Sequence, residues 1–366
     1  MKSFGWFLVL NILGPVLGAQ QSAAPSANWE LAENAWALRA PFNSVGGVAG
    51  TASSDQTPPG GQKEKAKPAR KAAPASQLKR TRIDASMVGY IDPSAVQTEV
   101  RVRFDAGFNA PRPDRAEYFY AGCNGSIPCI GGIQRTLNFQ QLYLRGEYAP
   151  LQRFSAYLQV PFRWVQPFFV PSTGAPTLSS GGGISDVQGG LKFAAIASGS
   201  RNLTFQFGAS FPTGDGANGL GTNHYTIEPM VLLSQRLSGR TEIEAEAGDS
   251  HPIGGTIYYA TPSSPPQNYA ADVAMYGVGP SYELIKRDRY RLAPVLELVS
   301  WHVFGGLQAG SAGVVQSAAG INVLNAKLGA RASFANGSSI YAGYGRGLTS
   351  DIWYRNLFRI EYRRVF

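Results

Sequence analysis

Two cysteines and three histidines are all that a chain of 366 residues provides for thiol or imidazole chemistry. The histidines His224, His251 and His302 show no H-x-x-x-H or similar ligand spacing, so they are assigned no metal. No G-x-S-x-G, Walker or H-E-x-x-H pattern occurs, and no Ser/His constellation for hydrolysis can be assembled. The expectation is a protein that is not an enzyme and carries no cofactor. No run of about 18 uncharged apolar residues follows the N-terminus, which excludes a helical inner-membrane protein. Charge is scarce at 16% of residues, and its +9 excess is unevenly placed. Gln62 to Arg82 alone holds eight Lys or Arg against one Glu. The rest of the chain is nearly balanced, so no nucleic-acid footprint is expected on the folded part.

What is present begins with an apolar stretch from Phe4 to Leu17, preceded by Lys2 and followed by small residues at Gly18 and Ala19. Residues 1–19 have the form of a signal peptide, and no cysteine follows to accept a lipid. Residues 20–95 are rich in Ala, Pro, Ser, Gly and Lys and poor in large apolar side chains. They are expected to form a mostly disordered periplasmic extension. Within it, Asn28 to Arg39 places Trp29, Ala32 and Trp36 on one helical face, suited to docking under a barrel or to a transient helix. The basic stretch Lys63 to Arg82 is a solvated linker or a contact with anionic lipid or cell wall.

From residue 96 to 366 the sequence is a series of alternating segments separated by connections that are short and long in turn. Val96 to Ala110 sets Val100, Val102, Phe104 and Phe108 against Glu99, Arg101, Arg103 and Asp105. Four charges on one face are costly in a soluble core but ordinary against a water-filled lumen. The same period of two marks Leu137 to Ala149, Arg153 to Val165, Ser185 to Ala197, Arg201 to Phe211 and Tyr225 to Leu237. It continues through Thr241 to Asp249, Asp272 to Ile285, Arg289 to Val303, Gly320 to Phe334, Ser338 to Gly347 and a last strand ending at Phe366. The fold class is therefore all-β, a transmembrane antiparallel up-and-down β-barrel of about twelve strands. An even count puts both ends of the barrel on one side, here the periplasmic one.

The turns fix registers. A three-residue turn after Arg236 sets that residue opposite Glu242, and the same logic sets Glu283 opposite Arg291. A two-residue Asn336-Gly337 turn would put Ala342, Tyr344 and Arg346 inside and Tyr341 at the lipid interface, although the apolar pattern alone tolerates the opposite register. The candidate lumen-lining residues are Arg101, Arg103, Arg145, Arg163, Lys192, Glu242, Glu244, Glu246, Glu297, Arg331, Arg359 and Glu361. Such columns set a transverse field that selects a solute, or cross-brace a plugged interior.

Cys123 and Cys129 lie in the first long loop, where a disulfide is the natural reading in an oxidising compartment and a metal site the weaker one. Gly214 to Gly219 matches G-x-G-x-x-G, but Leu220 to Ile227 beyond it read as loop and then strand, so a flexible loop is expected and not a dinucleotide site.

Two resemblances add to this. The last strand puts Phe358, Ile360, Tyr362 and Phe366 on one face, which resembles the C-terminal assembly signal of bacterial outer-membrane barrels, with Arg364 a departure from it. That implies outer-membrane lipid and the barrel-assembly machinery as partners. Gly183-Ile184-Ser185-Asp186-Val187 with Gly190-Leu191-Lys192-Phe193, then Phe211-Pro212-Thr213-Gly214-Asp215 and Gly219-Leu220-Gly221, resembles the phenol-degradation meta-pathway family of outer-membrane proteins. The likeness spans about residues 181 to 248, and the long basic tail departs from the family pattern. It implies a non-catalytic outer-membrane channel through which small apolar or aromatic solutes diffuse. A structural or surface-interaction barrel with an occluded lumen is the alternative.

Overall fold

A computed structural model describes residues 86–110, 134–169, 180–255, 257–258, 265–309 and 315–366. The signal peptide, the extension up to residue 85 and the pair Cys123 and Cys129 lie outside these residues. Twelve long strands account for most of the described chain. They are β1 (Glu99–Ala110), β2 (Gln134–Leu151), β3 (Phe154–Phe169), β4 (Val187–Ala197), β5 (Arg201–Phe211) and β6 (Tyr225–Arg236). Then come β7 (Thr241–Ile253), β8 (Val273–Tyr282), β9 (Tyr290–Val303), β10 (Ile321–Phe334), β11 (Ser338–Gly347) and β12 (Asn356–Val365). Each pairs antiparallel with its neighbours in sequence, and β12 returns to pair with β1 from Glu99↔Val365 to Phe108↔Asn356. The sheet therefore closes and leaves no edge strand unpaired.

The strands form because their residues alternate, and the alternation sorts two environments. Leu158, Phe205, Phe207, Leu296, Leu328 and Ile360 stand on the outer wall, with Phe207 52% and Ile360 59% exposed. An apolar band of this kind running around a wall suits hydrocarbon and not water. Inward positions of the same strands carry Arg, Lys, Glu, Gln, Ser and Thr, most of them buried. Closed antiparallel pairing satisfies the wall's backbone hydrogen bonds internally, as the bilayer requires. The chain is a transmembrane antiparallel up-and-down barrel of twelve strands.

One end carries the short turns and the other the long connections. At the short-turn end Phe366 donates its main-chain N–H to Thr98 O at 3.0 Å, so the last residue seals the first strand. At the long-loop end two small ribbons form, Ile257–Tyr258 with Gln267–Asn268 and Leu307–Ala309 with Val315–Ser317.

Three expectations need correction. Ser333 pairs with Ser339 and Arg331 with Tyr341, so the β10–β11 turn takes up Ala335, Asn336 and Gly337. Gly337, at φ 88°, sits in the left-handed region that a glycine after a type I turn supplies. One residue more than a two-residue turn inverts the faces of the whole strand. Tyr341 is accordingly buried in the lumen, while Ala342, Tyr344 and Arg346 face outward. Second, Arg291 pairs with Lys286 across the β8–β9 turn, because the short Ile285–Lys286 segment shifts the register. Glu283 still reaches Arg291 through a 2.9 Å ion pair. Third, β1 begins at Glu99 rather than Val96, and residues 86–95, placed in the extension by composition, pack inside the barrel.

Candidate functional site

Residues 86–98 form a strap in the lumen that ends where β1 begins. Ser86 to Val88 meet Arg363 and Arg331, near the short-turn ends of β12 and β10. The tip, Gly89 to Asp92, reaches Glu297 in the middle of β9, and Pro93 and Ser94 return past Lys192 and Thr204. The wall holds the strap by its main chain. Six successive N–H groups donate to three carboxylates: Met87 and Val88 to Glu244, Gly89, Tyr90 and Ile91 to Glu297, and Asp92 to Glu246. Six carbonyls accept in turn. Ser86 O takes Arg363, Met87 O and Val88 O take Arg331, Gly89 O takes Arg359, Pro93 O takes Lys192 and Ser94 O takes Thr204.

Each group is thereby satisfied where burial would otherwise leave it costly. The Asp92 carboxylate lies between Arg101 and Arg145, each at 3.8 Å, and accepts from Gln206 at 3.1 Å. The same cations brace the wall itself. Arg359 grips Asp105 through two 2.7 Å bonds, Arg331 and Arg363 share Glu361 at 2.8 and 3.0 Å, and Arg101 meets Glu99 at 2.6 Å. Lys192 and Arg145 share Glu147, and Arg236 meets Glu242 at 3.5 Å. Arg103 lies over the Tyr143 ring and beside Asp105, and Arg163 bonds Gln141 over the Phe139 ring. All twelve candidate lumen residues therefore point inward, and eight of them, Arg101, Arg145, Lys192, Glu244, Glu246, Glu297, Arg331 and Arg359, touch the strap.

Apolar contacts complete the seat. Met87, Val88 and Ile91 pack on Ala293, Val295 and Val299 of β9 and on Tyr341. Val88 and Ile91 also approach Gly279 and Gly277 of β8, and Gly89 passes so close to the Tyr341 ring that a Cβ there would overlap it. Tyr341 itself lies across the inward glycines Gly329 and Gly343. The strap thus contacts the wall all round, meeting β1, β2, β4 and β5 as well as β7 to β12.

A strap bound this way inside a closed twelve-strand barrel invites comparison with solved structures. The chain aligns with an outer membrane channel from Pseudomonas putida F1 at a TM-score of 0.50 and 16% identity, over 75% of this chain and 100% of that one. This chain has that channel's fold. Alignments with the beta domain of the Bordetella autotransporter BrkA (TM-score 0.43, 14% identity, 74% of this chain and 100% of that one) and the Ralstonia pickettii toluene transporter TbuX (0.37, 11%, 74% and 90%) are too distant to bear on function. No protein-family model matches the sequence, and no curated protein matches it.

At the long-loop end of the barrel the lumen changes character. Leu137, Phe139, Val165, Val273, Val303, Val323 and Leu357 line it, and Leu220, Trp353 and Tyr354 from the loops pack among them. Trp301 and Trp353 meet at 4.7 Å between ring centroids. The loop after β5 is pinned by Asp186, whose carboxylate accepts from Gly214 N at 3.0 Å, Thr222 N at 2.6 Å and Thr222 Oγ1 at 2.7 Å. Its glycine-rich stretch forms one 3₁₀ turn, Gly216–Asn218, capped by Asp215 and by Gly219 at φ 72°, with no helix to receive a phosphate. Beneath this loop lies a cavity of about 130 Å³. Burial pushes the imidazole of His224, on its wall, below the ordinary histidine range, so it is neutral at pH 7.

His251 pairs with Asp272 in an exposed group that also includes Asp249, and His302 bonds Asn322, so the three histidines do not converge. Phe358, Ile360, Tyr362 and Phe366 all stand on the outer wall. Sequence reasoning missed Lys327 and Tyr341 as lumen groups and the strap as a whole. Its signal was Met87-Val88-Gly89-Tyr90-Ile91, a cluster of large side chains after a tail that has few.

Proposed function

We propose that the protein is an outer-membrane channel held closed by its own residues 86–98, and that it passes small polar solutes when the strap leaves the lumen. The observation that carries this reading is the twelve-fold main-chain grip on the strap. A plug built into a permanent core would be held mainly by apolar packing. This one is held largely by hydrogen bonds whose partners water can replace, which suits an element that leaves. The wall it would uncover carries Glu244, Glu246, Glu297, Arg331, Arg359 and Lys192, a lining that favours polar over apolar passage. The outer-membrane placement, with the short-turn end in the periplasm, rests on the apolar outer band and the likeness in fold.

One observation favours the aromatic solutes that the family resemblance implies. The apolar collar around Phe139, Trp301 and Trp353 would accept an aromatic ring at the mouth. Flux of a small sugar into vesicles containing the full chain or Glu297→Ala tests both. Faster entry through the variant supports the gated channel, and block of that entry by phenol would place aromatic solutes at the collar. No sugar entry through either protein would leave the occluded structural barrel as the better account.

A further inference from the structure

The cavity beneath the β5–β6 loop shares Leu220 and Val273 with the apolar collar and is lined by no residue of the strap. Its wall includes Gln141, Arg163, Ser210, His224, Thr226 and Glu228, and Gly219 to Thr222 of the loop close it. Its 130 Å³ is roughly ten times the space a single water needs. Glu228 points into the lumen from β6, on the same face as Thr226 and Met230. It forms no hydrogen bond or ion pair among the described residues. Other lumen carboxylates are engaged: Glu244, Glu246 and Glu297 by the strap, Glu99, Asp105, Glu147 and Glu361 by cations, and Asp186 by the loop. Opposite Glu228 stands Gly208, and the Tyr157 hydroxyl lies over that glycine on the same side as the carboxylate.

Arg163 and the loop-bound Asp186 are of opposite charge in the cavity wall, whereas no cation among the described residues lies in contact with Glu228. A carboxylate in so confined a site gains most from a ligand that brings a positive charge and N–H donors. We propose that this cavity is a binding site for a small solute bearing a protonated amine, with Glu228 as its counter-ion and the Asp186-pinned loop as its cover. The neighbouring hydroxyl and amide groups of Ser210, Thr226 and Gln141 suit the remaining polar atoms of such a solute. As a statement about transported cargo it rests on the channel reading, so binding and flux are measured apart.

The test titrates full-length protein in detergent with propylammonium and, separately, with propanol, its neutral counterpart of the same shape. A saturable heat with propylammonium and none with propanol is expected. Glu228→Gln should weaken binding roughly tenfold or more, as loss of a charged hydrogen bond does, and Glu228→Asp should retain most of it. Equal binding by Glu228→Gln and the native protein overturns the proposal. Should Glu228→Gln fail to fold, the native protein alone decides, since no saturable heat, or equal heat from both ligands, also overturns it. Vesicle flux without propylammonium binding removes the site and leaves the channel, whereas binding without any solute flux removes the channel and leaves the site.

Discussion

Glu297 accepts three main-chain N–H groups of the strap and the Tyr341 hydroxyl, so more of the closed state converges on this side chain than on any other wall carboxylate described. Glu297→Ala would leave those donors unpaired at about 1 to 3 kcal/mol each. The expected outcome is a strap released from its seat, seen as faster hydrogen exchange at Gly89 to Ile91 while amides of β9 stay protected. Unchanged exchange at those three residues would show that the carboxylate does not hold the strap. Gly89 offers an independent route, because any side chain there overlaps the Tyr341 ring. Gly89→Leu should displace the strap without touching a charge, and Gly89→Leu with Tyr341→Ala should restore it, as read by the same exchange. The charged lining was legible in the sequence because a period of two places Arg101, Arg145, Glu244 and Glu297 on the face opposite the apolar one. The strap partners of Glu244 and Glu297 were not, since hydrogen bonds to a segment 156 to 208 residues away leave no mark in local pattern.

Each strand was located by its alternation, and the faces assigned from it agree with the structure in all strands but one. β11 is the exception, and the cause is specific. Its residues Ala342, Tyr344 and Tyr341 are apolar enough for either face, so its register depended on a turn one residue longer than expected. β9 carried a clue of another kind. Ala293, Val295 and Val299 face inward while Leu296 and Leu298 face out, so this strand is apolar on both sides. A strand with lipid on one face and water on the other has no need of that, and here the inner apolar row seats Met87, Val88 and Ile91. The outer faces make their own prediction. Phe207→Arg puts a cation where the wall meets hydrocarbon, at a cost of about 2 to 4 kcal/mol near the midplane. The unfolding midpoint in lipid should fall accordingly, whereas Gln206→Arg on the lumen face should not lower it as much. Equal losses from the two would mean that the faces are not those described.

At the scale of the molecule, the ladder from β1 through β12 is closed, and it should resist detergent as a unit. Unheated protein should therefore migrate faster on a denaturing gel than boiled protein, and identical mobility would contradict a closed barrel. Barrel and plug are nonetheless separable, because the strap adds no strand to the ladder. Composition hid this boundary. Residues 86–95 follow a long stretch of Ala, Pro, Ser, Gly and Lys, and ten residues of mixed character are too few to shift a compositional reading. Conductance across a planar bilayer tests the central claim most directly, comparing deletion of residues 20–85 with deletion of residues 20–95. The first leaves the strap in place and should stay closed, while the second removes its anchored part and should give a steady open current. Equal conductance of the two, open or closed, would contradict the account of residues 86–98 as the element that closes the lumen.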